Sequence, residues 1–376
     1  MLKHEIIFFT MGGKKTMLYR QAKILSSEAL AASGTKVVDI TLQDVISRIN
    51  IDVYGVNNGT TPTAHPAAIV SKIELVDGSD VLCSLSGYEA LALDYYQSGR
   101  TPFVINNYQD NEWCRCMFNL NFGRYLYDPF VGFNPTKYRN PQLKITYNLA
   151  AGGSTPDAGA IAITADVFDG KVAAPAGFLM AKEVVSYTMA ASANEYIDMP
   201  LDYPYRSMLI LGKGANNTTE MQYSNIKLSE DNDKKVPIDE SRATLAKIFG
   251  GVHQPIMEHF VKAGAVGAVR TFCMTSYEGA VSVSARETLV GDFVVTQPGS
   301  GALNVTSAAG ATIHGIITGY MPCGALQIPF GDPQVIEDWY DVTKIGNLRN
   351  TIQAGSGASS SNTCQVVTEQ FRKYAA

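Results

Sequence analysis

Few residues in this chain of 376 have both the type and the spacing that chemistry needs. The five histidines, His4, His65, His253, His259 and His314, are dispersed. His253 and His259 lie six apart, a spacing that no helix places on one face. A cupin-type metal site needs a local cluster of His and Glu, so surface or packing roles are expected for all five. Glu230, Asp231 and Asp233 offer oxygen ligands for calcium, but Lys234 and Lys235 follow at once and the EF-hand pattern is missing. Glu337, Asp338 and Asp341 beside Trp339 suggest a sugar site, with two carboxylates flanking a glycosidic bond and a ring to hold the substrate. The plainer reading is an exposed turn with one aromatic anchor. Gly212-Lys213-Gly214 is faintly phosphate-like, yet no GxxxxGK[ST] occurs, and its counterpart Val53-Tyr54-Gly55 has no lysine. No GxSxG elbow is present; Gly299-Ser300-Gly301 and Gly355-Ser356-Gly357 read as loop glycines. The expectation is a protein with no catalytic, cofactor-binding or metal-ligating residues, and no enzyme.

The bulk numbers narrow the class further. Hydrophobic residues make up 46% and charged residues 17%, which argues against disorder. Abundant Tyr, Phe, Gly, Ser, Thr and Asn suit β-strands joined by many turns. A net charge of −5 gives no basic footprint for nucleic acid, so sequence-specific nucleic-acid binding is not expected. Cys83, Cys114, Cys116, Cys273, Cys323 and Cys364 form no CxxC and no metal-finger spacing; they read as free buried thiols made in a reducing compartment. The apolar run near the N-terminus, Ile6 to Phe9, is too short for a secretory signal or a membrane span. The sequons at Asn58, Asn216, Asn217 and Asn304 then read as polar turns.

The elements that would position any site come mostly from period-two patterns. Leu143, Ile145, Tyr147 and Leu149 alternate with Lys144, Thr146 and Asn148 as a half-buried strand. Ser86 caps a helix running to about Gln97, and a second helix is expected from Asp239 or Ser241 to Phe249. Leu18, Ala22, Leu25 and Ala29 have helical spacing, predicting an extra helix over Thr16–Ala32. Lys14, Lys15, Arg20 and Lys23 at its leading end oppose the helix dipole, which would be relieved by anionic lipid or nucleic acid; solvated lysines are the plainer reading. Ile256 to Lys262 reads as a further helical piece after the break at Pro255.

The chain also repeats itself. Glu5–Met11 matches Glu183–Met189, Asp39–Thr60 matches Asp198–Thr219, and Ile73–Leu93 matches Ile226–Ala246, in that order. In the middle block Asp39, Leu42, Ile51, Gly55, Asn57, Asn58 and Thr60 recur identically, against roughly one or two identities expected from composition. A weaker match pairs Cys116-Met117 with Cys273-Met274. The repeat predicts an all-β protein of two tandem jelly-roll β-sandwiches, each with a short helix in a connecting loop. The first would cover 1–175 and the second 176–376. A two-domain β-sandwich carbohydrate-binding protein or glycosidase is the alternative.

The segments Trp113–Pro129, Asn140–Leu149, Leu201–Ile210, Asn225–Pro237, Trp339–Asn350 and Gln365–Tyr374 resemble those of double jelly-roll major capsid proteins of tailless icosahedral viruses of prokaryotes. The resemblance implies a structural protein of the virion capsid, synthesised in the host cytoplasm. It implies pseudo-hexagonal homotrimers tiling an icosahedral shell, with neighbouring trimers, penton or minor capsid proteins as partners. In many such viruses an internal lipid membrane lies beneath the shell.

Overall fold

The computed structural model describes residues 18–57, 64–152, 156–169, 173–213, 219–262, 267–285, 294–296, 301–307 and 312–375. The first half contributes β1 (Tyr19–Ala29), β2 (Ser33–Asp39), β3 (Ile46–Asn57), β4 (Val70–Asp77), β5 (Asp80–Leu85), helix α1 (Gly87–Ser98), β6 (Val104–Tyr108), β7 (Trp113–Asn121), β8 (Pro141–Asn148) and β9 (Pro156–Phe168). Two sheets face each other, with strand orders β1-β9-β3-β7 and β2-β8-β4-β5. Neighbouring strands are thus drawn from opposite ends of the half, which is the winding of a jelly roll.

The second half repeats this winding. Its strands are β10 (Gly177–Thr188), β11 (Asn194–Asp198), β12 (Tyr205–Lys213), β13 (Tyr223–Glu230), β14 (Lys235–Ser241), β15 (Ile256–Lys262), β16 (Gly267–Phe272), β17 (Thr275–Ala285), β18 (Val294–Thr296), β19 (Ala302–Ser307), β20 (Ile313–Pro322), β21 (Ala325–Pro329), β22 (Leu348–Ala354) and β23 (Thr363–Lys373). A single turn, α2 (Thr219–Gln222), precedes β13, and α3 (Arg242–Gly250) follows β14. The facing sheets are β10-β23-β12-β21 and β11-β22-β13-β14. Each half therefore places its helix after its fifth strand. Ser86 and Ser241 cap these helices, accepting from the backbone N–H of Glu89 and Thr244. At α1 the Glu89 carboxylate also accepts from the Ser86 N–H, which completes a capping box.

The two jelly rolls share sheets. β5 runs parallel to β10, with Ser84 opposite Lys182, so β2-β8-β4-β5 continues into β10-β23-β12-β21. On the other side β6 runs parallel to β15, which continues the first sheet into β20 and β17. Strands β15 to β20 are an insertion between α3 and β21, and they lean on the first jelly roll. β12 lies between two cores: Leu209 and Leu211 belong to the apolar cluster that includes Phe178 and Ile163, while Met208 and Ile210 belong to the one that includes Ile226 and Ile352. A strand covered on both faces reads as a continuous apolar run, whereas β8 alternates because one of its faces is only half buried.

Two expected helices are strands. Residues 19–29 of the expected Thr16–Ala32 helix form β1, an edge strand paired with β9. Irregularities between Lys23 and Leu25, and between Leu25 and Glu28, break its alternation, so its apolar residues fall at near-helical spacing. Arg20 does not wait for an external anion: it bonds Asp44 and Asp169. Lys14 and Lys15 lie outside the described residues. The 256–262 piece is β15, which buries Ile256, Glu258, Phe260 and Lys262. The inward Glu and Lys blurred its period-two apolar signal. Cys273-Met274 sits in the connection between β16 and β17, so its match to Cys116-Met117 of β7 is not structural.

Candidate functional site

The candidate chemical residues do not converge. Trp339 is buried, packs edge-on against Phe371 at 5.6 Å, and donates from Nε1 to the Asp332 carbonyl at 3.2 Å, so it offers no platform for a sugar. Asp341 caps the short helical turn Val342–Lys344 by accepting from the Thr343 N–H, and it pairs with Lys344. Glu230 accepts from Lys235 Nζ at 2.8 Å and from the Tyr340 hydroxyl. Asp231 accepts from the N–H groups of Gly346 and Asn347, while Asp233 bonds Ser229 and Lys227. The three carboxylates thus serve separate partners, and no metal-binding group of three His, Cys, Asp or Glu exists among the described residues. Gly212 needs to be glycine for packing: a Cβ there would meet the Tyr223 ring at 2.6 Å. Residues 214–218, with the sequons at Asn216 and Asn217, lie outside the described residues, as do His4 and Asn58.

The histidines do include one buried partnership. His65 and Glu258 meet inside the protein, where the insertion touches the first jelly roll. Asn106 of β6 donates to the same carboxylate and to the Phe272 carbonyl, and the Tyr108 hydroxyl donates to that carbonyl too. A second buried junction centres on Glu369 of β23. It accepts from Arg206 Nη1 at 2.8 Å, Ser207 Oγ at 2.8 Å and Gln97 Nε2 at 2.5 Å. Gln97 belongs to α1, so this carboxylate ties the first jelly roll's helix to the second jelly roll's sheet. Burial pushes Glu89 up to about 8, helped by the charge of Glu183, and pushes Lys262 down to about 8. Glu89, Lys262 and Glu369 are all fully buried within the fold.

The outward surface is where large apolar side chains stand unburied. In the connection between β7 and β8, Tyr125, Leu126 and Phe130 are exposed, Phe130 by 62%. Arg124 holds that connection in shape: it forks onto Asp128 at 2.6 and 3.0 Å and donates to the Gln334 carbonyl at 2.8 Å. Its guanidinium also lies over the Tyr125 and Phe130 rings. Val335, exposed beside Gln334, comes from the connection after β21. A second exposed pair, Phe103 and Met257, lies where β6 and β15 run side by side. Rigidly held aromatic residues outside the core mark contact surfaces for macromolecules. In the sequence the first surface reads only as a long irregular connection marked by Asp128-Pro129 and Asn134-Pro135, and the second has no local sign because its halves are far apart in the chain. No helix among the described residues is long and apolar enough to cross a membrane.

No protein-family model matches the chain, and no curated protein matches it. Solved structures do. The chain is similar to the major capsid protein of Sulfolobus turreted icosahedral virus, at a TM-score of 0.61 and 14% identity over 95% of this chain and 97% of that one. It is similar to the major capsid protein P2 of bacteriophage PM2, at 0.55 and 9% over 95% and 98%. It is also similar to VP54 of PBCV-1, at 0.58 and 10% over 97% and 96%. All three are double jelly-roll capsid proteins. At these identities the likeness concerns architecture: this chain has the double jelly-roll fold that the capsid proteins of those viruses share.

Proposed function

We propose that the chain is a structural major capsid protein whose homotrimers form pseudo-hexagonal blocks that tile an icosahedral shell. The observation that carries this reading is the pairing of two jelly rolls through shared sheets, in an arrangement that matches solved capsid proteins over 95% of the chain. Six similar sandwiches in a trimer would approximate a hexagon. The exposed aromatic loop around Phe130 supports it, since such residues are favoured at subunit interfaces. Work of this kind is done by shape and edge complementarity, without catalysis.

In this reading the halves divide at 1–175 and 176–376. The partners are copies of the chain, penton or minor capsid proteins, and a lipid membrane where the virus has one. The protein is made in the host cytoplasm and resides in the virion. Native mass spectrometry and electron microscopy of purified protein test the proposal. A trimer that images as a hexagonal block supports it; a protein that stays monomeric at high concentration, with no trimer in virions, overturns it.

A further inference from the structure

The outer face of the β11-β22-β13 sheet carries a groove of about 370 Å³, within the ~300–1,000 Å³ typical of small-molecule sites. Two rows of side chains cross it. Tyr196, Thr351 and Lys227 stand opposite one another on the three strands, and Arg349 and Ser229 form the next row, with Asp198 paired to Arg349 at the groove's margin. The turn after β13 closes one end with Asn232 and Asp233, and Asn347 lies beside them. That turn is fixed. Asp231, Asn232 and Asp233 all take positive φ, and the Asp231 carboxylate accepts from the Gly346 and Asn347 N–H groups at 2.9 and 3.0 Å. Beneath the groove, Ile226, Leu228 and Ile352 belong to the second core, so the floor is rigid.

We infer that this groove binds a neutral saccharide. Tyr196 is 63% exposed at the groove's edge and offers an aromatic face to the C–H side of a sugar ring. The floor offers donors and acceptors side by side: Lys227 Nζ lies 2.9 Å from Asp233 Oδ1, Ser229 Oγ donates to the same oxygen at 2.7 Å, and Arg349 Nε donates to Asp198 Oδ1 at 3.1 Å. Vicinal hydroxyls both donate and accept, so they can bridge such pairs without breaking their charge balance. That balance also sets the ligand class. Lys227 and Arg349 are matched by Asp233 and Asp198, so an anion such as phosphate gains no net attraction, while a neutral polyhydroxylated ligand meets charged hydrogen-bond partners at no electrostatic cost. The inference stands on this sheet face alone and does not depend on the assembly reading. It moves the sugar chemistry suggested around Trp339 to a different place in the fold.

The test is ligand-observed saturation-transfer NMR on the full chain, with the methyl glycosides of glucose, galactose, mannose and N-acetylglucosamine, and with inorganic phosphate as the charge control. At least one glycoside should bind with roughly millimolar affinity. Tyr196→Ala and Lys227→Ala, both at the sheet surface, should each weaken that binding about tenfold or more while leaving the thermal melting temperature unchanged. No saturation transfer to any of the four glycosides overturns the inference. So does binding that both variants retain, or phosphate binding without glycoside binding.

Discussion

His65 Nε2 stands 2.9 Å from Glu258 Oε1, with both side chains only 2% exposed. The other ring nitrogen, Nδ1, accepts from the Ala67 N–H at 3.1 Å, which leaves the ring's proton on Nε2, donated to the carboxylate. Glu258 also accepts from Asn106 Nδ2 at 2.9 Å and from the Met274 N–H at 2.6 Å. One side chain of the insertion thus satisfies three buried donors from three segments. Glu258→Ala should strand them and cost about 2–4 kcal/mol, read from urea unfolding. A loss below about 1 kcal/mol would mean that the junction is incidental to stability.

Glu89 supplies a pH signature. Burial, then the nearby charge of Glu183, lifts its carboxyl from 4.5 to about 8 in the folded protein. The folded state therefore binds more protons than the unfolded state between these values. Stability should fall as pH rises through that window and level off above it. Glu89→Gln keeps a side chain that suits a capping box and removes the titration. The melting temperature of this variant should decline less between pH 5 and about pH 8 than that of the parent. Equal declines would assign the pH dependence elsewhere.

All six cysteines are buried as free thiols. Desolvation pushes Cys83 and Cys364 up to about 12 and Cys114 up to about 11. Thiolate, the reactive form, is then scarce as well as shielded. A chromogenic disulfide reagent should find no rapidly reacting thiol in the native protein and all six after denaturation. A fast native phase would reveal local opening around one of them.

Phe130 separates assembly from folding. Its ring is exposed and braced by Arg124, so Phe130→Ser removes contact surface without opening a core. The folded subunit should keep its melting temperature within the small change usual for surface substitutions, about 0.5 kcal/mol in stability. Yield of trimers or particles, followed by light scattering and electron microscopy, should drop. Unchanged assembly would remove this loop from the interface.

The sequence displayed the duplicated parts better than the added ones. Residues 73–93 and 226–246 matched because β4 and β13 occupy equivalent places and are followed by a strand and a serine-capped helix in each half. Each is a local pattern, written in neighbouring residues. The match of Asp39–Thr60 likewise falls on the ends of β2 and β11 and on β3 and β12. β1 and β15 were misread because bulges in one, and an inward Glu and Lys in the other, disturb the alternation on which such reading rests. The match of Glu5–Met11 to β10 falls outside the described residues, and it is β1 that takes the place of β10 in the first jelly roll. The junctions at Glu258 and Glu369, and the groove beside Tyr196, join residues distant in sequence. No local spacing could announce them.

The position of β23 has a consequence for synthesis. It lies between β10 and β12 and supplies hydrogen-bond partners to both. During translation those two strands must wait, one edge each unpaired, while the rest of the second half is made. A nascent chain in that state exposes ready templates for wrong pairing. The first jelly roll has all eight of its strands by Phe168 and can form while the ribosome is still working. The second can close only after β23 appears. The order of synthesis therefore favours folding from the N-terminal half onward, and the interval before β23 emerges is when a chaperone would matter most.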